Sequence, residues 1–139
     1  MTWFVYAFLS AFFAALTAIL AKIGIKNIDS NLATAIRTSV ILLITWGIVF
    51  IQGTQSGISS INRTSFIFLV LSAFATGLSW LFYFRALQIG EVSKVAPIDK
   101  LSLVLTVVMA TIFLKEKISL AVGVGVVLMA IGAIVVSLG

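Results

Sequence analysis

The run ISLAVGVGVVLMAIGAIVVSLG, Ile118 to Gly139, carries no charged side chain over 22 residues. A helix of that length, rising about 1.5 Å per residue, covers a hydrocarbon core about 30 Å thick. The same reading applies to three other uncharged stretches: Met1 to Ala21, Thr38 to Asn62, and Thr64 to Phe84. A further apolar stretch, Val95 to Leu114, is interrupted only by Asp99 and Lys100. The chain therefore reads as five transmembrane helices, at about 3–24, 32–50, 65–89, 95–114 and 118–138, forming one all-α integral membrane domain over residues 1–139. No length remains for a soluble domain.

Composition agrees with this. The chain is 62% hydrophobic and 9% charged, with a mean hydropathy of +1.28, outside the balance of soluble domains. It contains no cysteine and no histidine. Disulfides, thiolate metal sites, imidazole proton relays and Cys or His nucleophiles are thereby excluded. No metal site and no cofactor are expected, and no enzyme activity. The net charge of +5 raises the question of a nucleic-acid partner. The basic residues are scattered at helix ends rather than clustered on one face, so they read as topology and site residues.

The connections are short. Lys26, Asn27 and Asp29 belong to an interfacial turn after the first helix. The segment QGTQSGISSIN, Gln52 to Asn62, is the longest polar connection. Gly90 to Lys94 is brief enough to make the third and fourth helices antiparallel neighbours. Pro97, the one proline, is expected in the first turn of the fourth helix, where its missing N–H costs nothing. Lys115, Glu116 and Lys117 form a charged corner before the fifth helix.

Spacing at 100° per residue sorts the helices by polarity. The first aligns Ser10, Ala14, Thr17, Ala21 and Gly24. The second aligns Thr34, Thr38 and Thr45, with Arg37 within about 60° of that line. The third aligns Ser72, Thr76, Ser79 and Tyr83. The fourth aligns Asp99, Ser102, Thr106 and Ala110, with Lys100 at the margin. Any one hydroxyl in a membrane helix is explained by bonding to backbone or by packing as a small residue. Four aligned stripes point further, because polar side chains in a membrane face the bundle interior or a water-filled cavity. The first four helices are expected to share such an interior. The fifth carries only Ala121, Gly125 and Gly132, with Leu128 between them, a stripe suited to close approach against another helix or a second subunit.

Lys22, Arg37, Arg85, Asp99 and Lys100 all fall near one end of an up-down bundle, roughly one to one and a half turns inside the interface. One acid among five groups leaves this layer positive. Its functional reading is a site for a carboxylate or phosphate, with Arg37 as forked donor and Asp99 as counter-ion or proton acceptor. An energetic coupling between Arg37 and Asp99 is part of that reading. The structural alternative is that Lys22, Arg85 and Lys100 snorkel and that Asp99 satisfies first-turn amides. Arg37 borders a polar face and has no interface role of its own.

Orientation is nearly balanced. Lys22, Lys26 and Lys94 flank one side and Arg63, Lys115 and Lys117 the other, three against three. Adding Arg37, Arg85 and Lys100 favours a cytoplasmic C-terminus. A near-balance suits a chain that inserts both ways, and an inverted pair of identical subunits rebuilds an inverted repeat.

The run YFRALQIGEVSKVAPIDKLSLVLTVVMATIFLKEKIS, Tyr83 to Ser119, with GVGVVLMAIGAIVV after it and LAKIGIKNIDSNLATAIRT from Leu20 to Thr38, resembles the EamA-like transporters of the drug/metabolite transporter superfamily. Familiar members fuse two five-helix units in inverted orientation. The resemblance thus implies one half-unit of an inverted-repeat transporter, a homodimer in the plasma (inner) membrane of a prokaryote, and a path lined by the first four helices. It also implies export of a small metabolite or amino-acid-like compound. On the present residues the substrate contacts are expected at Arg37, Thr38, Thr76, Ser79, Tyr83, Asp99, Lys100, Ser102 and Thr106, and the dimer interface at Ala121, Gly125, Leu128 and Gly132. Two other readings stand beside it: transport of an anionic lipid or lipid-linked phosphate, whose headgroup depth suits the basic mouth, and a non-transporting membrane scaffold. No nucleotide-binding motif is present, so ATP hydrolysis is not expected to drive it.

Overall fold

The computed structural model describes residues 2–139. Among the described residues the secondary structure is helical, with no strand. The α-helices are α1 (Trp3–Gly24), α2 (Ser30–Gln52), α3 (Arg63–Ile89), α4 (Val92–Asp99), α5 (Leu101–Phe113) and α6 (Leu120–Leu138), and a 3₁₀ helix covers Thr54–Ser60. Five segments are long and apolar enough to cross a bilayer, α4 and α5 counting as one span over Val92–Phe113. The protein is a multi-pass membrane protein.

The helix ends follow local chemistry. The Asp29 carboxylate accepts from the backbone N–H groups of Asn31 at 2.9 Å and Leu32 at 3.1 Å, so α2 begins at Ser30 rather than at Leu32. At its other end Gly53 takes φ +68°, the left-handed conformation that closes a helix at low cost only for glycine. Its N–H donates to the Phe50 carbonyl at 3.2 Å. The polar segment that follows is ordered, with Ser59 and Ser60 hydroxyls donating to the carbonyls of Ser56 at 3.0 Å and Gly57 at 2.7 Å. Asn62 opens α3 by accepting from the Ser65 N–H at 2.7 Å. Ser119 does the same for α6, accepting from Val122 at 3.3 Å, which delays that helix to Leu120.

The fourth span departs from a continuous helix. Pro97 sits inside α4, not in its first turn, because the helix starts upstream at Val92. There the ring withholds the N–H that the Ser93 carbonyl needs. The ladder tightens just beyond: the Lys100 N–H is shared between the carbonyls of Ala96 at 3.3 Å and Pro97 at 3.1 Å. Leu103 then donates to Lys100 at 3.0 Å, a 3₁₀-type spacing that joins α4 to α5.

The chain forms two compact units, Met1–Lys22 with Ile89–Gly139, and Ile23–Gln88. In the first, α6 packs against both α4 and α5. The Lys22 ammonium donates to the Gly90 carbonyl at 2.7 Å, placing a cation at the C-terminal end of α3, where the helix dipole favours one. In the second, Ile25, Ser30, Ala33, Thr34, Phe84 and Leu87 are buried, Leu87 completely. Arg85 donates from Nη1 to Gln88 Oε1 at 2.7 Å, and Gln88 Nε2 donates to the Ile28 carbonyl at 2.8 Å. This relay ties the end of α3 to the turn between α1 and α2.

Candidate functional site

The expected substrate-facing residues divide between the units. Arg37, Thr38, Thr76, Ser79 and Tyr83 lie in the unit Ile23–Gln88, and Asp99, Lys100, Ser102 and Thr106 lie in the other.

In the first set, Arg37 is the charged centre. Its guanidinium carbon lies 4.3 Å from the centroid of the Phe84 ring and 5.2 Å from that of Trp80. The rings are four residues apart on α3, so one helix face presents both. Ring faces attract a cation through their quadrupole, which accounts for Arg37 holding its position inside an apolar span. They do not satisfy its N–H groups. Nη1 is buried without a hydrogen-bond partner, an arrangement that costs on the order of 1–3 kcal/mol for a buried donor. Tyr83 packs edge-on against Phe84, with ring centroids 5.8 Å apart and planes at 72°.

The hydroxyls of this unit turn back onto their own helices. Thr34 donates to Ser30 at 2.8 Å, Thr38 to Thr34 at 2.8 Å and Thr76 to Ser72 at 2.9 Å, each through a carbonyl four residues earlier. This is the usual way a Thr proton is satisfied in a membrane helix. The oxygen lone pairs remain available, so the stripes present acceptors rather than donors. Thr38, Thr76 and Ser79 are exposed in the single chain.

In the second set, Asp99 pairs with its neighbour, Lys100 Nζ standing 3.3 Å from Asp99 Oδ2. Both side chains are partly exposed at the join between α4 and α5, so the pair is solvent-screened and contributes little to stability. Thr106 donates to the Ser102 carbonyl at 2.8 Å, repeating the pattern of α3. On α6, Gly125 and Gly132 have open space around the position a Cβ would take, and Leu128 is exposed.

Two contacts were not anticipated from spacing. The stripes were read on Ser and Thr, whereas the aromatic clamp on Arg37 comes from Trp80 and Phe84; the signal was an aromatic pair at i, i+4 on a helix facing an arginine-bearing one. The Lys22 ammonium, at the expected charged mouth, reaches the Gly90 carbonyl, a partner that spacing along one helix does not show.

The model of the EamA-like transporter family matches residues 1–138. The chain belongs to the EamA-like transporter family. A Sinorhizobium sp protein bearing the name "Uncharacterized transporter in cobO 3'region" is 46% identical over 136 residues, a stretch that makes up 98% of this chain and 96% of the relative. No solved structure matches the chain. Family membership makes the protein a membrane transporter.

Proposed function

We propose that the protein is a secondary transporter that exports a small metabolite or amino-acid-like compound, working as a homodimer in the inner membrane of a prokaryote. The observation that carries this reading is the exposure of Thr38, Thr76, Ser79, Ser102 and Thr106 on spans that bury almost nothing within one chain. At most 11% of the most apolar stretch of any span is buried. Hydroxyl-bearing faces are poorly placed against lipid, and a second subunit encloses them as the interior of a pathway. An antiparallel partner fits the balance of the flanking basic residues, three against three. The small residues Ala121, Gly125 and Gly132 with the exposed Leu128 supply the contact between subunits.

The test is dimerisation together with flux. No atom lies within 4 Å of the position a Cβ would take at Gly125 or Gly132, so Gly125→Leu and Gly132→Leu are each expected to weaken the dimer in crosslinking or light scattering while helicity is unchanged. Metabolite export from loaded proteoliposomes should fall in parallel. A dimer and a flux that both withstand these substitutions would remove α6 from the interface and end this form of the proposal.

A further inference from the structure

We propose that Arg37, clamped by Trp80 and Phe84, is the oxyanion receptor of the transport pathway, so that the substrate carries a carboxylate or a phosphate. The inference rests on the transporter reading and names the substrate class of that site.

The argument starts from charge placement. Arg37 lies seven residues after Ser30, the first residue of α2, roughly 10 Å along the helix axis. That depth is expensive for a guanidinium, and such residues in membrane spans mark substrate or ion pathways. Within the unit Ile23–Gln88, Asp29 is the one acid. Its Oδ1 is taken up by the amides of Asn31 and Leu32, at the start of α2. The carboxylate of Asp99, in the other unit, has the Lys100 ammonium beside it.

The aromatic clamp explains how the charge is held between arrivals of ligand. Phe84 is 1% exposed, a fixed wall, and Trp80 is half-buried beside it. The two rings stabilise the cation without accepting an N–H···O bond, so the fork of donors stays free for a planar two-oxygen group. A lysine would not suit this position, since its compact ammonium neither stacks as well on rings nor donates in parallel pairs. The unpaired Nη1 is covered. An oxyanion therefore meets it when the side chain turns out of the clamp, which couples anion binding to a change in the contacts of Trp80 and makes that indole a reporter.

The experiment uses the full chain in phosphatidylcholine nanodiscs, with Trp3→Phe and Trp46→Phe leaving Trp80 as the sole tryptophan. Inorganic phosphate and benzoate are titrated at constant ionic strength against chloride, following Trp80 emission and melting temperature. A second arm adds phosphatidylglycerol to the discs without soluble anion. A saturable response in the first arm assigns a soluble substrate, and one confined to the second assigns a lipid headgroup; both support an oxyanion receptor. Arg37→Gln is expected to abolish the response and Arg37→Lys to weaken it about tenfold, the scale of one lost charge-assisted contact. No saturable response in either arm overturns the inference, as does a response that survives Arg37→Gln. Should the Gln variant not fold, unchanged affinity in Arg37→Lys overturns it. Because binding is read at equilibrium without flux, an intact anion response with no export counts against the export reading alone. Export without an anion response counts against this inference alone.

Discussion

The Lys22 ammonium and the Gly90 carbonyl, 68 residues apart in sequence, meet at 2.7 Å. The contact joins the last turn of α1 to the residue after α3 and satisfies a carbonyl that a helix end leaves without an intrahelical donor. A hydrogen bond from a charged donor contributes about 1.5–3 kcal/mol where it is well buried, and less at this partly buried position. Lys22→Met is therefore expected to lower stability by about 1 kcal/mol, with Lys22→Arg close to wild type. Unfolding in mixed micelles followed by circular dichroism measures both.

The threonine hydroxyls separate folding from transport. Because Thr38, Thr76 and Thr106 donate within their own helices, replacing them by Val removes no tie between helices. The pair Thr38→Val with Thr76→Val, and separately Ser102→Ala with Thr106→Val, should change stability by less than about 0.5 kcal/mol. Flux should fall about tenfold, equivalent to about 1.4 kcal/mol in the barrier. Flux at the wild-type rate in both pairs would show that these faces do not line the path.

Two turns in the left-handed region predict opposite signs. Gly53 has φ +68° and Lys115 has φ +55°, and the left-handed conformation costs a side-chain-bearing residue roughly 1–2 kcal/mol. Gly53→Ala should destabilise by about 1 kcal/mol, and Lys115→Gly should stabilise by up to about 1 kcal/mol. Thermal melts of the two variants in one detergent decide this.

Pro97 is expected to keep the join between α4 and α5 soft. Restoring an amide with Pro97→Ala supplies a donor for the Ser93 carbonyl, so hydrogen exchange at residues 98–101 should slow and the melting temperature rise. Unchanged exchange would place the cause of the break in the turn at Lys100 itself.

Much of this architecture is legible in the sequence. Apolar runs of about twenty residues have one solution in a bilayer, since every backbone group must be satisfied within its own segment. Asp29 and Gly53 each lie three residues outside the limits expected for the second helix, and both act through groups close by in sequence. Local rules reached less far at Pro97: its consequence depends on where its helix starts, and that start moved upstream to Val92. The polar run after Gln52 was read as a connection, although backbone bonds over three residues wind it into a 3₁₀ helix.

What the sequence determined by itself was the number of spans and their chemistry, because hydropathy and helical periodicity are properties of neighbours along the chain. The family followed from the likeness of its motif runs, which the family match over residues 1–138 bears out. Arg37 stood out as a costly charge on those grounds alone. Only the tertiary structure decided what surrounds it: Trp80 and Phe84 lie more than forty residues away, and periodicity fixes the face a residue occupies on its own helix but not the side chain of another helix that comes to meet it. The same limit separates Lys22 from Gly90 and Gln88 from Ile28, whose pairing depends on how helices pack after each has formed.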